Sequence, residues 1–221
     1  MKRRLVLQAA GLALAALLIW LLARSGLDFH LSALAYSPEA RAFPLRYAWL
    51  TEALGHKGLR YLGTFLWFGL LGVAIAFRDW RREALHAALG ALLAATAVNV
   101  LRGWSAHSCP WDLAAFGGSA QWFALLGEVP GNPGPGRCLP SGHASSGFAL
   151  FALYFALRDA HPREARAALA LAWTLGLLAT AVQVLRGAHF LTHGLWTAWI
   201  SWAVCLALWA ALDWRRIARS G

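Results

Sequence analysis

Six long apolar segments take up most of this 221-residue chain, and they constrain its fold more than any other feature. A helix needs about 20 apolar residues to cross a hydrocarbon core. Each segment is predicted to be a helix, because lipid excludes unpaired backbone groups and the alternation of barrel strands is absent. The predicted spans are 5–23, 61–77, 84–101, 141–157, 167–185 and 194–212. The sequence therefore predicts an all-α bundle of six transmembrane helices, with residues 1–221 forming one integral membrane domain and no separate soluble domain.

The charge of the chain fits a membrane protein better than a nucleic-acid-binding protein. Only 14% of the residues are charged and 59% are hydrophobic, although the formal net charge is +10. Short cytoplasmic loops retain Lys and Arg, which accounts for the sign. With the N-terminus inside, 12 of the 20 basic residues fall on the inner side. They are Lys2, Arg3, Arg4, Arg78, Arg81, Arg82, Arg158, Arg163, Arg166, Arg215, Arg216 and Arg219.

This distribution sets the expected orientation. Both termini are expected in the cytoplasm, with the long loops 24–60 and 102–143 outside. We expect a multi-pass protein of the bacterial inner membrane whose outer loops lie on the periplasmic side. The first segment is longer than the apolar part of a secretion signal and lacks a clear small-residue cleavage site, so we expect an uncleaved helix.

Polar residues collect near the outer ends of the predicted helices. Arg102 ends the third span, and the sequence Pro-Ser-Gly-His at 140–143 opens the fourth. The fifth span ends near Gln183, Arg186 and His189, and His193 begins the sixth. The preceding outer loop is long and rich in Pro and Gly, and such loops are often functional. Histidines, arginines and glycine-containing turns on one side of a membrane are typical of an anion-binding site.

Each polar residue also has an ordinary interpretation. Ser141 and Gly142 precede a helix, where free N–H groups bind anions but where Ser is also a common cap. Arg102 and Arg186 can extend to lipid headgroups. Asp112 can cap a turn or pair with an arginine. Only the joint position of these residues favours a functional site.

Histidine spacing raises the question of a metal. His189 and His193 are four residues apart and would share a helical face, a spacing that zinc sites also use. A metal site formed with His143 is one alternative. No set of Glu or Cys residues accompanies these histidines, so we expect no metal and no other cofactor.

Two of the three cysteines lie in the second outer loop. An oxidising exterior permits a disulfide between Cys109 and Cys138, and that bond would make the loop more rigid. The alternative is two free thiols. Cys205 lies in the last predicted helix and is expected to pack there.

The three polar motifs together resemble the type 2 phosphatidic acid phosphatase superfamily, which includes membrane lipid phosphatases. That family shows Lys, six residues, Arg-Pro; then Pro-Ser-Gly-His; then Arg, five residues, His, three residues, Asp. Over residues 102–193 the matching positions are Arg102 with Cys109 and Pro110; Pro140, Ser141, Gly142 and His143; and Gln183, His189 and His193.

Three positions depart from the family pattern. Cys109 and Gln183 stand where the family has phosphate-binding arginines, and His193 stands where it has an aspartate. Arg186, one helical turn after Gln183, and Arg137, shortly before the second motif, are the candidates to replace those charges. The departures predict a divergent member with a rearranged anion site.

The resemblance implies a mechanism. His189 attacks phosphorus and forms a phosphohistidine, with His193 or another acid such as Asp112 orienting its ring. His143 protonates the leaving oxygen and then activates water or an alcohol. The phosphoryl oxygens are bound by arginines, amides and neighbouring polar groups, and the expected set is Arg102, Arg186, Arg137, Ser141, Gly142 and Gln183.

The implied function is hydrolysis of a phosphomonoester or diphosphate of a membrane lipid. Candidate substrates are undecaprenyl diphosphate, phosphatidylglycerol phosphate, phosphatidic acid and lipid A. A phosphotransferase would use the same residues with a lipid acceptor. A non-catalytic lipid-binding or transport protein is a further alternative, motivated by the three departures. The expected partners are membrane lipids and a lipid phosphate, with no nucleic acid, and the sequence leaves the oligomeric state open.

Overall fold

Helices make up almost all of the regular structure in the computed structural model, which describes the backbone of residues 2–217 and the side chains of residues 3–212. Within this part of the chain there is no β-strand, only two isolated bridges. The α-helices are α1 (Lys2–Arg24), α2 (Leu27–Ala35), α3 (Leu59–Ala76), α4 (Arg81–Trp104), α5 (Ser145–Phe148), α6 (Phe151–Leu157), α7 (Pro162–Leu185) and α8 (Leu191–Ile217). A π-helical segment, Leu50–Gly58, leads directly into α3. The all-α class predicted from the sequence is therefore confirmed.

Five helical stretches are long and apolar enough to cross a membrane. They are Arg3–Arg24, Leu50–Ala76, Arg78–Trp104, Pro162–Leu185 and Leu191–Leu212. Each contains or closely overlaps one of the predicted spans. The second is longer than predicted because the π-helical segment extends α3 towards the N-terminus.

The predicted fourth span, 141–157, does not form one long helix. Its helical part, Ser145–Leu157, divides into α5 and α6 and reaches only about 20 Å at 1.5 Å per residue. Its side chains instead meet protein, since Phe148, Phe151 and Phe155 are all buried in the main apolar core. The six-span count is thus not reproduced: five stretches have the length of a span, and the sixth is a short helix pair enclosed by α4, α7 and α8.

Small residues allow the helices around this pair to approach closely. α4 turns a row of buried alanines towards its neighbours, including Ala87, Ala91 and Ala94. A Cβ atom on Gly147 of α5 would lie 2.2 Å from the backbone nitrogen of Gly176 in α7. Close backbone contact between small residues is a common way to pack helices in membranes.

The polar residues of the motifs and the basic turns lie at opposite ends of the bundle. Arg78 and Arg81 lie at the turn between α3 and α4, and Arg158 follows α6 at the same end. Arg4 of α1 lies 3.8 Å from Asp159, so the N-terminal end of α1 is there too. Among the basic residues predicted inside, Arg219 and the side chains of Lys2, Arg215 and Arg216 lie outside the described residues.

The two long loops pack against each other at the other end of the bundle. Phe43, from the first loop, is buried with Leu113 and Phe116 from the second and with Phe190 before α8. Helix α2, within the first loop, adds Phe29 to this aromatic cluster. This packing fixes the backbone that carries the motifs.

Candidate active site

Four parts of the chain converge at the motif end of the bundle. The C-terminal end of α4 supplies Arg102, and the segment before α5 supplies Ser141, Gly142 and His143. The end of α7, the turn after it and the first turn of α8 supply Gln183, Arg186, His189 and His193. The fourth part is the π-helical segment, which brings His56. The sequence motifs account for the first three parts and not for the fourth.

A turn with a left-handed residue at Gly187 positions His189 after the end of α7. α7 ends at Leu185, and Gly187 follows with φ of 67°, a conformation that suits glycine at the end of a helix. The amides of Ala188 and His189 both donate back to the carbonyl of Gln183, at 2.9 and 3.3 Å. A Cβ atom at position 187 would lie 2.4 Å from the ring of Phe43. The turn therefore requires glycine for its conformation and for space.

A backbone carbonyl orients the ring of His189. Its Nδ1 lies 2.8 Å from the carbonyl oxygen of Cys138, and the side chain is buried. Because a carbonyl oxygen only accepts, Nδ1 carries the proton and Nε2 keeps its lone pair. Cys138 is itself disulfide-bonded to Cys109, with the two Cα atoms 5.2 Å apart. The second loop thus holds His189 in the tautomer that a nucleophile needs.

The two residues expected to orient His189 occupy other positions. The ring of His193 packs edge-on to that of His189, with centroids 5.8 Å apart, and the described hydrogen bond of His189 goes elsewhere. Asp112 is half-buried and interacts with the backbone of Cys109, the side chain of Trp111 and the charge of Arg46. The described hydrogen bond of the His189 ring is made with the loop backbone instead of either side chain, and no side-chain motif can reveal such a bond.

His143 lies between two other histidines. Its ring centroid is 3.9 Å from that of His56 and 6.4 Å from that of His189. Burial lowers the pKa of His143 to about 3, and the charges of His56, His189 and Arg102 act in the same direction. Burial likewise lowers the pKa of His189 to about 4, against the raising effect of its bond to Cys138. Both rings are therefore neutral at physiological pH in the free protein.

Arg102 packs on the bare backbone of Gly142. A Cβ atom at position 142 would lie 2.9 Å from Nη1 of Arg102 and 3.4 Å from Oδ1 of Asn99. Glycine in the second motif therefore leaves room for the guanidinium beside His143. In this chain a side chain at position 142 would therefore require the guanidinium to move.

Ser141 supports the backbone of the site. It is buried, its amide donates to the carbonyl of His193 at 3.1 Å, and its own carbonyl accepts from Thr197 at 2.9 Å. These bonds join the second motif to α8. The amide of Ser141 is thereby occupied, so the predicted use of this amide for an anion is not seen.

Arg186 is buried at the edge of the site in bonds that the sequence did not predict. Its Nη2 forms an ion pair with Glu52, its Nε donates to the carbonyl of Arg46 at 3.0 Å, and its Nη1 donates to Oε1 of Gln183 at 3.2 Å. The guanidinium therefore lies near the histidines but is already paired. Ion pairs that are largely withdrawn from water often add little net stability, and this partly buried pair joins the end of α7 to the π-helical segment.

Arg137 lies apart from this group. It is exposed on the second loop with φ of 62°, and none of the described contacts joins its side chain to His143 or His189. The structure thus brings together eight of the nine residues expected to bind phosphate or catalyse, and leaves Arg137 outside.

Two residues of the site escaped sequence analysis. His56 and Glu52 lie in the loop 24–60, where they belong to no motif and no apolar period. They therefore leave no signal in the sequence beyond their residue type. Among residues 3–212, no group of three or more His, Cys, Asp or Glu side chains is arranged to hold a metal ion.

An apolar groove leads away from the site. It has a volume of about 490 Å³ and lies between α3, α4 and the segment 142–150. Arg102, Gly142 and His143 line its polar end, and Trp67 and Leu150 are among the apolar residues farther along. Its size is within the range of small-molecule sites in proteins.

Comparison with known proteins identifies the family of the chain. The sequence profile of the PAP2 superfamily matches residues 83–217, more than half of the chain. No curated protein and no solved structure gives a significant match. The matched region contains all three motifs and excludes the π-helical segment with His56. The chain therefore belongs to the PAP2 superfamily, the type 2 phosphatidic acid phosphatases that the motifs predicted.

Proposed function

We propose that this membrane protein hydrolyses a phosphomonoester or diphosphate of a lipid through a phosphohistidine at His189. Membership of the superfamily establishes a phosphatase-type membrane protein. The observation that carries the finer proposal is the bond from Nδ1 of His189 to the carbonyl of Cys138, at 2.8 Å. It leaves Nε2 with a free lone pair beside His143 and Arg102.

The proposed reaction has two steps. In the first, Nε2 of His189 forms a bond to phosphorus while the bond from phosphorus to the leaving oxygen breaks, and His143 gives its proton to that oxygen. The leaving oxygen is the lipid oxygen of a phosphomonoester or the bridging oxygen of a diphosphate. In the second, water attacks phosphorus and gives a proton to His143 while the phosphorus–nitrogen bond breaks. His143 thus ends protonated and His189 ends neutral, as before the first step.

The proton on His143 must come with the substrate. Its pKa of about 3 in the free protein keeps the ring neutral, so it lacks the proton that a general acid donates. A phosphate dianion beside it raises that pKa, and a substrate that binds as a monoanion brings the proton along. Arg102 stabilises the charge that develops on the phosphoryl oxygens.

A lipid substrate fits the groove. Its polar end meets Arg102 and His143, and its apolar walls can cover a hydrocarbon chain while the headgroup remains at the histidines. The motif end also lies opposite the basic turns, which favours a site on the periplasmic face of a bacterial inner membrane. Candidate lipids are undecaprenyl diphosphate, phosphatidylglycerol phosphate, phosphatidic acid and lipid A.

The test is phosphate release from these four lipids by the purified full-length protein in detergent. His189→Ala and His143→Ala are each expected to lower kcat at least a hundredfold. Rapid acid- and alkali-quench experiments with ³²P-labelled substrate are expected to trap an acid-labile, base-stable phosphoprotein in the wild type and none in His189→Ala. Equal release by wild type and both variants would exclude the proposal.

Adding a lipid alcohol distinguishes hydrolysis from transfer. If the acceptor takes up the phosphate in place of water, the protein is a phosphotransferase with the same site. If neither release nor transfer occurs with any of the four lipids but the protein still binds them, the non-catalytic alternative holds.

A further inference from the structure

Four side chains form a continuous row of polar contacts that ends at His56, next to His143. Glu52 pairs with Nη2 of Arg186, and Nη1 of Arg186 donates to Oε1 of Gln183 at 3.2 Å. Nε2 of Gln183 lies 3.0 Å from Nδ1 of His56. Two members come from the π-helical segment and two from the end of α7. The row therefore joins an element outside the family match to the third motif.

The chemistry of the row fixes the proton on His56. An arginine guanidinium only donates, so the oxygen of the Gln183 amide must face Arg186. The amide nitrogen of Gln183 must then face His56, and because it also only donates, Nδ1 of His56 must accept. A neutral His56 consequently carries its proton on Nε2. Reversing the Gln183 amide would point its NH₂ group at the guanidinium.

Close packing holds the π-helical segment in this position. A Cβ atom on Gly55 would lie 2.7 Å from Cγ1 of Val182 in α7, so the two helices are in direct contact next to Gln183. The ring of His56 is half-buried and has its centroid 3.9 Å from that of His143. π-Helical turns of this kind occur frequently at functional sites.

We propose that His56 is a phosphate-binding residue of this site, donating from Nε2–H to a phosphoryl oxygen, with Glu52, Arg186 and Gln183 holding it in that tautomer. Arg186 and Gln183 then act through His56, which explains why Arg186 is paired rather than free. The inference rests on the proposed function in one respect, that the ligand is a phosphate. It assigns a role to a segment that the family match does not include.

The first test is nitrogen NMR of the full-length protein with ¹⁵N-labelled histidine, with inorganic phosphate as the probe. His56→Gln identifies the His56 signals. At neutral pH we expect Nδ1 of His56 to be unprotonated and Nε2 protonated, and phosphate to shift the Nε2 signal. The signals of the exposed His30 are expected to stay unchanged. A proton on Nδ1, or an Nε2 signal indifferent to saturating phosphate, would overturn the inference.

The second test is binding of inorganic phosphate by calorimetry. His56→Ala is expected to raise Kd about ten- to a hundredfold, the usual cost of losing a hydrogen bond to a charged group. His56→Gln places an amide donor where Nε2–H was, so we expect Kd within about threefold of wild type. Gln183→Leu frees the His56 ring and is expected to give an intermediate Kd. Equal affinity in wild type and His56→Ala would refute the role.

The two proposals fail in distinguishable ways. If His189→Ala abolishes phosphate release but His56→Ala leaves both KM and the Kd for phosphate unchanged, the proposed function stands and the role of His56 falls. If His56→Ala weakens phosphate binding in a protein that releases no phosphate from any lipid, the role of His56 stands and the hydrolytic function falls. Thermal unfolding of each variant checks that the fold is kept.

Discussion

Nδ1 of His189 donates to the carbonyl oxygen of Cys138, 2.8 Å away, and this bond joins the third motif to the second loop. Cys138 also forms the disulfide to Cys109, which closes that loop beside the end of α4. The position of the His189 ring therefore depends on a loop that is crosslinked at Cys138, a residue outside the three motifs. The orientation of the His189 ring thus depends on loop backbone and a crosslink as well as on the motif side chains.

Breaking the disulfide should lower both stability and activity. The bond closes a loop between residues 29 apart, and such a crosslink typically contributes about 2–4 kcal/mol to the free energy of unfolding. Cys109→Ser with Cys138→Ser is expected to lower the unfolding temperature and to reduce kcat about tenfold, because the carbonyl that holds His189 becomes mobile. Thermal scans and phosphate release measure the two effects.

A reductant provides the control for that experiment. It should reproduce the double-variant defect in the wild type and change nothing further in the double variant. Full activity in a reduced wild-type protein would show that the loop holds His189 without the crosslink.

Gly142→Ala should weaken phosphate binding without unfolding the protein. The new Cβ atom would lie 2.9 Å from Nη1 of Arg102, and a long side chain can move away at little cost to the fold. The displaced guanidinium loses its place beside His143, so we expect KM to rise about tenfold at an almost unchanged unfolding temperature. Gly103→Ala is the matched control, since its Cβ atom would meet nothing within 4 Å. Similar KM values in the two variants would contradict this account of Gly142.

Phosphate binding should be accompanied by proton uptake. The pKa of His143 is about 3 and that of His189 about 4 in the free protein, and a bound dianion raises both. A group whose pKa rises on binding takes up protons between its two pKa values, so affinity for the dianion should increase as the pH falls from 7 towards 5. Calorimetry at pH 6 in buffers of different ionisation enthalpy measures the uptake.

The variants identify which ring takes up the proton. His143→Gln is expected to reduce the uptake, and His30→Gln, at an exposed position, is expected to leave it unchanged. An affinity that stays constant from pH 7 to pH 5, with no uptake in the wild type, would show that the histidines do not respond to the ligand.

Asp28 should contribute to the stability of the site through α8. Its buried carboxylate accepts from the amide of Thr192 at 3.1 Å and from the hydroxyl of the same residue. Asp28→Ala leaves these donors unpaired and is expected to cost about 1–3 kcal/mol of unfolding free energy. Asp28→Asn keeps one oxygen as acceptor for the amide, so its loss should be smaller. Chemical denaturation in mild detergent measures the difference. Equal stability of the wild type and both variants would show that the hydrogen bonds from Thr192 to Asp28 do not stabilise the protein.

Hydropathy predicted the five long helices because each is apolar over the length of a span. It predicted 141–157 as a sixth span for the same reason, since apolar composition does not distinguish lipid from protein as the surroundings. Phe148 and Phe155 face α4, α7 and α8 instead. The surrounding helices bury the apolar side chains of this segment, so the segment does not need the length of a membrane span.

The position of His143, His189 and Arg102 was predictable because each lies near the outer end of a predicted helix, so the helix topology places all three on one side of the bundle. The motifs did not predict His56, Glu52 or the carbonyl of Cys138, for two physical reasons. A residue more than 80 positions from its contact leaves no local pattern, as for His56 and His143. A backbone carbonyl is present at every residue, so its use leaves no trace in the side-chain sequence.

The short α5–α6 pair has a consequence for how the protein is made. At about 20 Å, Ser145–Leu157 cannot cross the apolar core of a bilayer alone, and its phenylalanines require α4, α7 and α8 around them. During biogenesis this segment is expected to remain incompletely packed beside α4 until α7 and α8 have been synthesised. The second motif precedes the pair directly, so assembly of the site would be among the last events of membrane insertion.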